Sequence, residues 1–284
     1  MSAAVDLSGE YTGFSVAMGE KGVALVTFDQ PDRMNAMTQG LKRDLIELCA
    51  RAQMSNSVRV VVFTGSGRAF CAGDDMGGYH GPGPTTVAQI GGGHDSGIGT
   101  VNGLRVFSQA LNLAVRNLDK LTVAAINGFA IQTGLSLALA CDFRIASTDA
   151  RLGSATLRFG LLPDEGGHYL LVQHLGVGRA MDFLMRKKIV GADEALALGL
   201  VSEVVAPDEL LSRALELATE LADGPQVAMR MLKRSLYAAA DLTFERALED
   251  IAVRTGITDH HPDAKEGGKS FAEKRTPKFN AGLG

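Results

Sequence analysis

The sequence predicts an α/β core followed by a helical C-terminal region. Two patterns carry that reading. Apolar, β-branched runs alternate with helix-period segments through the first half of the chain, and from about Pro163 onward the pattern is almost wholly helical. With no convincing linker, residues 1–205 read as the α/β core and residues 206–284 as a helical subdomain packed on it.

The elements follow in order. Gly22-Val-Ala-Leu-Val-Thr-Phe28 reads as a strand, and Gln30-Pro31-Asp32 breaks it. Thr38 is placed to cap a helix running to about Met54, with Leu41, Leu45, Ile46 and Leu48 on one side. Val58-Arg-Val-Val-Val-Phe63 is the continuous run of a strand buried on both faces. Thr64-Gly-Ser-Gly67 then turns the chain into Phe70-Cys-Ala-Gly-Asp-Asp-Met76. Residues 77–103 are glycine-rich, with little periodicity, and read as a mobile lid or a disordered loop. A helix over 104–118, a strand Thr122-Val-Ala-Ala-Ile126 and a short apolar helix over 134–141 come next. Phe143-Arg-Ile-Ala146 is strand-like, and Leu152-Gly153 is a turn. Helices are then expected over 164–175, 178–186, 192–198, 207–222, 225–240, 243–255 and 263–274.

The bulk properties narrow the function. The 284 residues are 46% hydrophobic and 21% charged, with net charge −4. Nothing resembles a basic patch with aromatic platforms, so a nucleic-acid partner is not expected. No apolar run approaches the ~20 residues that span a bilayer, so no membrane partner is expected. The first residues lack the charged region and apolar stretch of a signal peptide, and the three cysteines form no metal or redox spacing. Both point to a cytoplasmic protein with no metal site.

The chemistry concentrates in two segments, Phe70–Met76 and Ile126–Asp142. Each puts flexible backbone directly after a β-type run, so each can aim a main-chain N–H at one point. Two such donors form an oxyanion hole, which stabilises negative charge on a carbonyl oxygen. Alone, Ala72-Gly73 and Gly134 would also suit simple tight turns.

These segments, with Phe28-Asp-Gln-Pro-Asp-Arg-Met-Asn-Ala36, Cys141-Asp-Phe-Arg-Ile-Ala146, Gly160-Leu-Leu-Pro-Asp-Glu-Gly-Gly167 and a C-terminal Phe271-Ala-Glu-Lys-Arg-Thr-Pro277, resemble the crotonase superfamily, the enoyl-CoA hydratase/isomerase group, from about Val23 to Phe279. The resemblance implies a spiral of ββα units with a helical C-terminal region, assembled as homotrimers or dimers of trimers. It implies an acyl-CoA thioester substrate, coenzyme A being part of that substrate and no separate cofactor being needed. Carried over by position, the oxyanion donors are the N–H groups of Asp74 and Thr133. Ala36, Ala72, Gly73, Asp75 and Gly134 are expected beside the substrate, and Met34 and Met76 flank the pantetheine channel. Arg33 and Lys274 are expected near coenzyme A. Because the donors are backbone groups, the side chains at 74 and 133 are free to vary.

The sequence departs from the hydratase pattern where it matters. The two glutamates that activate water would fall at Ser136 and Thr156, and a hydroxyl cannot act as a general base near pH 7. The nearest acids are Asp164 and Glu165. Asp164 aligns with a position that carries a working carboxylate in several isomerases. As a base it needs a raised pKa, for which Phe159, Leu161 and Leu162 would supply an apolar pocket; as a helix cap its pKa would be lowered. Glu165 is expected to point elsewhere on the turn. Tyr79, His80, His94 and Asp95 in the glycine-rich loop are further candidates to reach the acyl group. The leading expectation is enoyl-CoA double-bond isomerisation with Asp164 as proton shuttle. Hydration, hydrolysis, C–C cleavage and a non-catalytic acyl-CoA-binding role are the alternatives.

Overall fold

A computed structural model describes residues 7–75 and 96–281. Two sheets organise it. The first has six strands, β1 (Phe14–Met18), β2 (Val23–Phe28), β3 (Val60–Gly65), β5 (Leu121–Ile126), β7 (Phe143–Ser147) and β10 (Glu203–Val205), in that spatial order. All neighbours are parallel except the β1–β2 hairpin. The second has four short strands, β4 (Ala69–Cys71), β6 (Phe129–Ile131), β8 (Arg151–Gly153) and β9 (Ile189–Gly191), with β9 antiparallel to β8.

The repeat lies in how the strands pair off. β3–β4, β5–β6 and β7–β8 each run through one sheet, turn within a few residues and continue in the other. Helices follow these pairs: α2 (Gly97–Val106) and α3 (Ser108–Arg116), then α4 (Thr133–Ala140), then α5 (Gly167–Met185). That is a spiral of ββα units, and it carries loops from β4, β6 and β8 to one edge of the second sheet. The sequence did not signal the second sheet, because three-residue strands show no periodicity, and the expected turn at Leu152-Gly153 is part of β8.

Central β3 and β5 are buried on both faces, and their alternation sorts the core. Val61, Phe63, Ala124 and Ile126 face the main core, shared with α1 (Gln39–Met54), α3, α4 and α5. Val60, Val62, Val123 and Ala125 face a second layer closed by α7 (Leu210–Asp223) through Leu210, Ala214, Ala218 and Leu221. The first helix begins as expected: the Thr38 hydroxyl accepts from the Leu41 N–H at 3.1 Å.

The helix expected over 104–118 is instead two, α2 and α3, broken at Phe107, and α2 starts inside the segment expected to be irregular. Its central glycine-rich stretch lies outside the described residues. The helices expected over 164–175 and 178–186 are two segments that follow one another within α5 and are separated at Gly176, whose φ of 72° and ψ of 161° are not helical. After β9 come α6 (Ala192–Leu198), β10, α7, α8 (Gln226–Ala239), α9 (Phe244–Asp259) and α10 (Pro262–Ala272). α8 is latched to the core at its middle. Lys233 pairs with Asp142 at 2.8 Å, and the Tyr237 hydroxyl donates to the same carboxylate at 2.8 Å. α9 has no buried residue.

Candidate active site

The first donor segment is shaped by the chain that precedes α1. Ala72 N–H donates to the Met34 carbonyl at 3.0 Å, Met37 N–H to Gly73 at 2.8 Å, and Asp75 N–H to Met37 at 3.1 Å. Asn35, fully buried, fastens this strip to the β3–β4 turn by donating to the carbonyls of Ser66 and Ala69 at 3.0 and 2.7 Å. In the parallel bridge between Met37 and Asp74, the Gly73 carbonyl and Asp75 N–H face Met37. The N–H of Asp74 therefore points to the other side. Gly73 permits the turn with a φ of 109°, a conformation side chains resist.

The second segment leaves β6 through Gln132, held at φ 51° and ψ −112° with its N–H on the Gly153 carbonyl at 2.9 Å. A non-glycine residue there is strained, and strain of this kind marks places where the backbone must be aimed. Thr133 is the first residue of α4, so its N–H lies outside the helix's own hydrogen bonds, at the positive end of the helix dipole. Gly134 lets α4 start against β4: a Cβ there would lie 2.1 Å from the Cys71 carbonyl. The two segments meet directly, the Thr133 hydroxyl donating to Asp74 Oδ1 at 2.7 Å. Among the described residues neither N–H has a protein acceptor.

The side chains at 74 and 133 are not idle. Asp74 Oδ1 also pairs with Lys42 Nζ at 2.9 Å, and Lys42 donates to the Ser108 hydroxyl at 2.7 Å. Lys42 projects from the buried face of α1, its side chain 6% exposed. Sequence reasoning missed it, because a lysine among helical leucines reads as a solvated charge. Only its place beside Leu41, on the face that carries the apolar residues, hinted otherwise.

The acids differ from expectation in an instructive way. Glu165, 1% exposed, points into the protein, where Ser136 Oγ donates to its Oε1 at 2.7 Å. A carboxyl thus stands at the Ser136 position after all, delivered from the segment before α5. Its Oε2 is buried with no donor among the described residues, and burial, reinforced by the nearby charges of Asp164 and Asp74, pushes its pKa up to about 7. Asp164 is half-buried. Burial raises its pKa, a hydrogen bond with Glu165 offsets part of that rise, and the Asp74 charge adds to it. Asp164 is not a helix cap: α5 begins at Gly167 with Gly166 at the cap position. The pocket expected from Phe159, Leu161 and Leu162 does not form within the chain. Phe159 is 66% and Leu162 65% exposed, and Leu161 is also exposed. From α3, Gln109 Nε2 donates to the main-chain carbonyl of Asp164 at 2.9 Å and Asn112 Nδ2 to that of Glu165 at 3.0 Å, which holds the backbone of this turn. Thr156 is buried, its hydroxyl sharing a 3.2 Å hydrogen bond with Ser154.

Of the other expected positions, Gly73 and Asp75 flank Asp74 with Ala72 just before them, Gly134 follows Thr133, and Ala36 precedes Met37, which bridges to Asp74. Arg33 stays at the surface, paired with Asp75 at 2.6 Å. Lys274 follows α10 on an exposed turn with a φ of 52°, with no side-chain partner among the described residues. Met76, Tyr79, His80, His94 and Asp95 lie outside the described residues. Cys49, Cys71 and Cys141 are free and buried, and burial pushes each thiol up to about 12, which makes them packing residues rather than nucleophiles. Among the described residues no cluster of metal-ligating side chains occurs, and no helix is long and apolar enough to cross a membrane.

Two strand-end segments joined by the Thr133–Asp74 hydrogen bond at a helix start, beside carboxyls with raised pKa values, on a two-sheet ββα spiral, are the build of an acyl-thioester enzyme. Comparisons agree. The family model described as enoyl-CoA hydratase/isomerase matches residues 18–282. The chain is 33% identical over 258 residues to the (E)-benzylidenesuccinyl-CoA hydratase of Thauera aromatica, covering 90% of this chain and 95% of that protein. It is 29% identical over 266 residues to the 1,2-epoxyphenylacetyl-CoA isomerase of Escherichia coli, covering 94% and 98%. The crystal structure of an enoyl-CoA hydratase from Bacillus anthracis superimposes with a TM-score of 0.86 at 28% identity, over 94% of this chain and 99% of that one. The chain belongs to the enoyl-CoA hydratase/isomerase family of the crotonase superfamily.

Proposed function

We propose that the protein moves the double bond of an enoyl-CoA thioester. The observation that carries this reading is the pair Asp164–Glu165. Asp164 is half-buried with a raised pKa, electrostatically coupled to the adjacent, more deeply buried Glu165, in an arrangement that also feels the charge of Asp74 beside the donors. In the proposed reaction Asp164 takes a proton from C2 of a 3-enoyl-CoA. The electron pair moves through the π system to the thioester oxygen, which is held by the N–H groups of Asp74 and Thr133. The same carboxyl then returns the proton at C4, giving the 2-enoyl thioester. A desolvated carboxylate is a stronger base than a solvated one, and one base suffices for both transfers.

Hydration is the second reading. The 2.7 Å contact of Glu165 with Ser136 favours it, because it restores a carboxyl near a position where the hydratase pattern has one. Two acids, one ionised and one protonated, can also position and activate a water.

The two are separated by incubating the protein with 3-enoyl-CoA and with 2-enoyl-CoA in D₂O and reading the products by mass. Formation of the conjugated 2-enoyl thioester, read by its absorbance and with the transferred hydrogen retained or only partly replaced by deuterium, and lost by about 10²-fold or more in Asp164→Asn, supports the proposal. Full isomerisation in that variant overturns it, and a mass gain of one water as the main outcome establishes hydration.

On this reading Arg33 and Lys274 supply positive charge to the coenzyme A phosphates. The exposed apolar side chains of α8 and α9, among them Leu232, Leu236, Phe244, Ile251 and Val253, are proposed to be covered by neighbouring copies in a trimer or a dimer of trimers, and the protein to work in the cytoplasm.

A further inference from the structure

The oxyanion hole is built with a negatively charged side chain on one of its own donor residues. A carboxylate beside the site where a second negative charge develops opposes the chemistry unless something neutralises it. The structure provides that group. Lys42 reaches from α1 to the same oxygen, Oδ1, that accepts the Thr133 hydroxyl, at 2.9 Å, with Ser108 holding its ammonium from the start of α3 at 2.7 Å. All three partners are buried, Lys42 to 6% of its side-chain surface and Thr133 and Ser108 within the core.

We infer that Lys42, Asp74 and Thr133 form a side-chain staple that fixes the separation of the two backbone donors and cancels the Asp74 charge at the hole. Lys42 and the two side chains act as positioning groups, through the backbone N–H groups they hold. The inference rests on the assignment of those N–H groups as the oxyanion donors, and not on which proton transfer follows.

The arrangement has two separable parts. Among the described residues the Thr133–Asp74 hydrogen bond is the one side-chain hydrogen bond between the two donor segments, which otherwise meet through the β4–β6 strand pairing and the close packing of Gly134 on Cys71. Losing it frees the start of α4 to shift relative to residue 74. A displacement of a few tenths of an ångström matters where donors must lie about 2.7–3.1 Å from one oxygen. The Lys42–Asp74 pair is electrostatic. With Lys42 neutralised, a full charge would remain uncompensated on the residue whose N–H is the donor, an interaction worth on the order of 10- to 10²-fold in the rate of enolate formation at an effective dielectric of about 20. Removing both charges leaves a neutral polar site and restores most of that loss. A lysine whose only role is to fill space on α1 would not behave this way, because removing a second side chain would then add to the damage.

The experiment is a double-mutant cycle on the full protein, read by two signals. One is the carbonyl stretch of but-2-enoyl-CoA carrying ¹³C at the thioester carbonyl, taken by infrared difference spectroscopy on binding. The other is kcat and KM for the turnover that the protein displays. In the unaltered protein the stretch moves to lower frequency as the hole polarises the carbonyl. Lys42→Met is expected to reverse much of that shift and to lower kcat 10- to 10²-fold with KM changed less than threefold. The Lys42→Met/Asp74→Asn pair is expected to recover at least tenfold in kcat and most of the shift. Thr133→Val reduces the shift, and Thr133→Ser retains it. Should Lys42→Met not accumulate as folded protein, the Thr133 pair and Asp74→Asn alone carry the test. A double variant no better than Lys42→Met overturns the charge assignment, and equal shifts in Thr133→Val and Thr133→Ser overturn the staple. No shift on binding to the unaltered protein removes the oxyanion hole itself and the inference with it. A normal shift without isomerisation retires the Asp164 mechanism alone.

Discussion

Glu165→Gln is the substitution whose consequence is best determined by the structure. Gln keeps the shape of the side chain and can still accept from Ser136, but it has no proton to lose. In the folded protein the Glu165 carboxyl titrates near 7, against an ordinary value of 4.5. Between those pH values the folded state holds a proton that the unfolded chain has released. The folded state binds more protons, so stability falls as pH rises through this window and levels off above about 7. Raising a carboxyl from 4.5 to about 7 corresponds to about 3 kcal/mol, of which about 2–3 kcal/mol falls between pH 5 and pH 8. Urea unfolding at pH 5 and pH 8, at one protein concentration, measures it. The original protein is expected to lose about 2–3 kcal/mol more than Glu165→Gln between the two conditions, since titrations outside the Asp164–Glu165 pair contribute equally to both. A pH dependence equal within about 0.5 kcal/mol would refute the burial of an ionisable proton at this position.

The remaining predictions concern the hole, the coenzyme and the assembly. Gly134→Ala puts a methyl group against the Cys71 carbonyl and separates α4 from β4. It is expected to lower kcat by 10²-fold or more and to cost about 1–3 kcal/mol in thermal unfolding; activity within threefold of the original protein would contradict the close-approach argument. Arg33→Ala is expected to raise KM for acyl-CoA by about 5- to 20-fold with kcat little changed, as for a group that binds substrate and transition state equally; the readout is steady-state kinetics at two salt concentrations, the effect shrinking at the higher one. Multi-angle light scattering is expected to return a multiple of three chain masses. A charge placed in the exposed apolar face, Ile251→Glu, is expected to shift that mass downward.

The parts legible in the sequence were those with long, one-dimensional signals. β3 and β5 show as unbroken β-branched runs because both faces are buried, and α1 shows through its cap and apolar stripe. The donor segments were visible because glycine placement and strand ends are local properties. The second sheet was not, since β4, β6, β8 and β9 are three residues each and owe their existence to pairing across the ββα units. Side-chain direction was the other loss. Glu165 lies one residue from Asp164, and nothing along the chain says that the turn before α5 sends Glu165 inward to Ser136 and leaves Asp164 half-open. Phe159, Leu161 and Leu162 failed in the opposite sense: apolar residues beside an acid suggest a pocket, but here they sit on a turn that faces outward. Lys42 combined both problems, a charged residue whose partner, Asp74, lies in another ββα unit.

The cluster gains meaning when its charges are followed through the proposed reaction. In the state the reaction requires, with Lys42 cationic, Asp74 and Asp164 ionised and the one proton of the acid pair on Glu165, the group carries one net negative charge. When Asp164 takes the C2 proton it becomes neutral and the thioester oxygen becomes negative, and the net charge is unchanged. The reaction thus moves a charge within the site rather than creating one. Its barrier therefore depends on the difference in electrostatic potential between the Asp164 carboxyl and the thioester oxygen, not on the total field. The backbone donors and the α4 dipole lower the energy of the charge at the oxygen, while burial and the charge of Asp74 raise it at Asp164. Asp74 acts at both ends, which is why its neutralisation by Lys42 has to be local. A cation midway between the two sites would stabilise reactant and enolate alike and leave the barrier where it was. Lys42, bonded at 2.9 Å to the oxygen that also receives the Thr133 hydroxyl, sits on the donor side, where its charge favours the enolate.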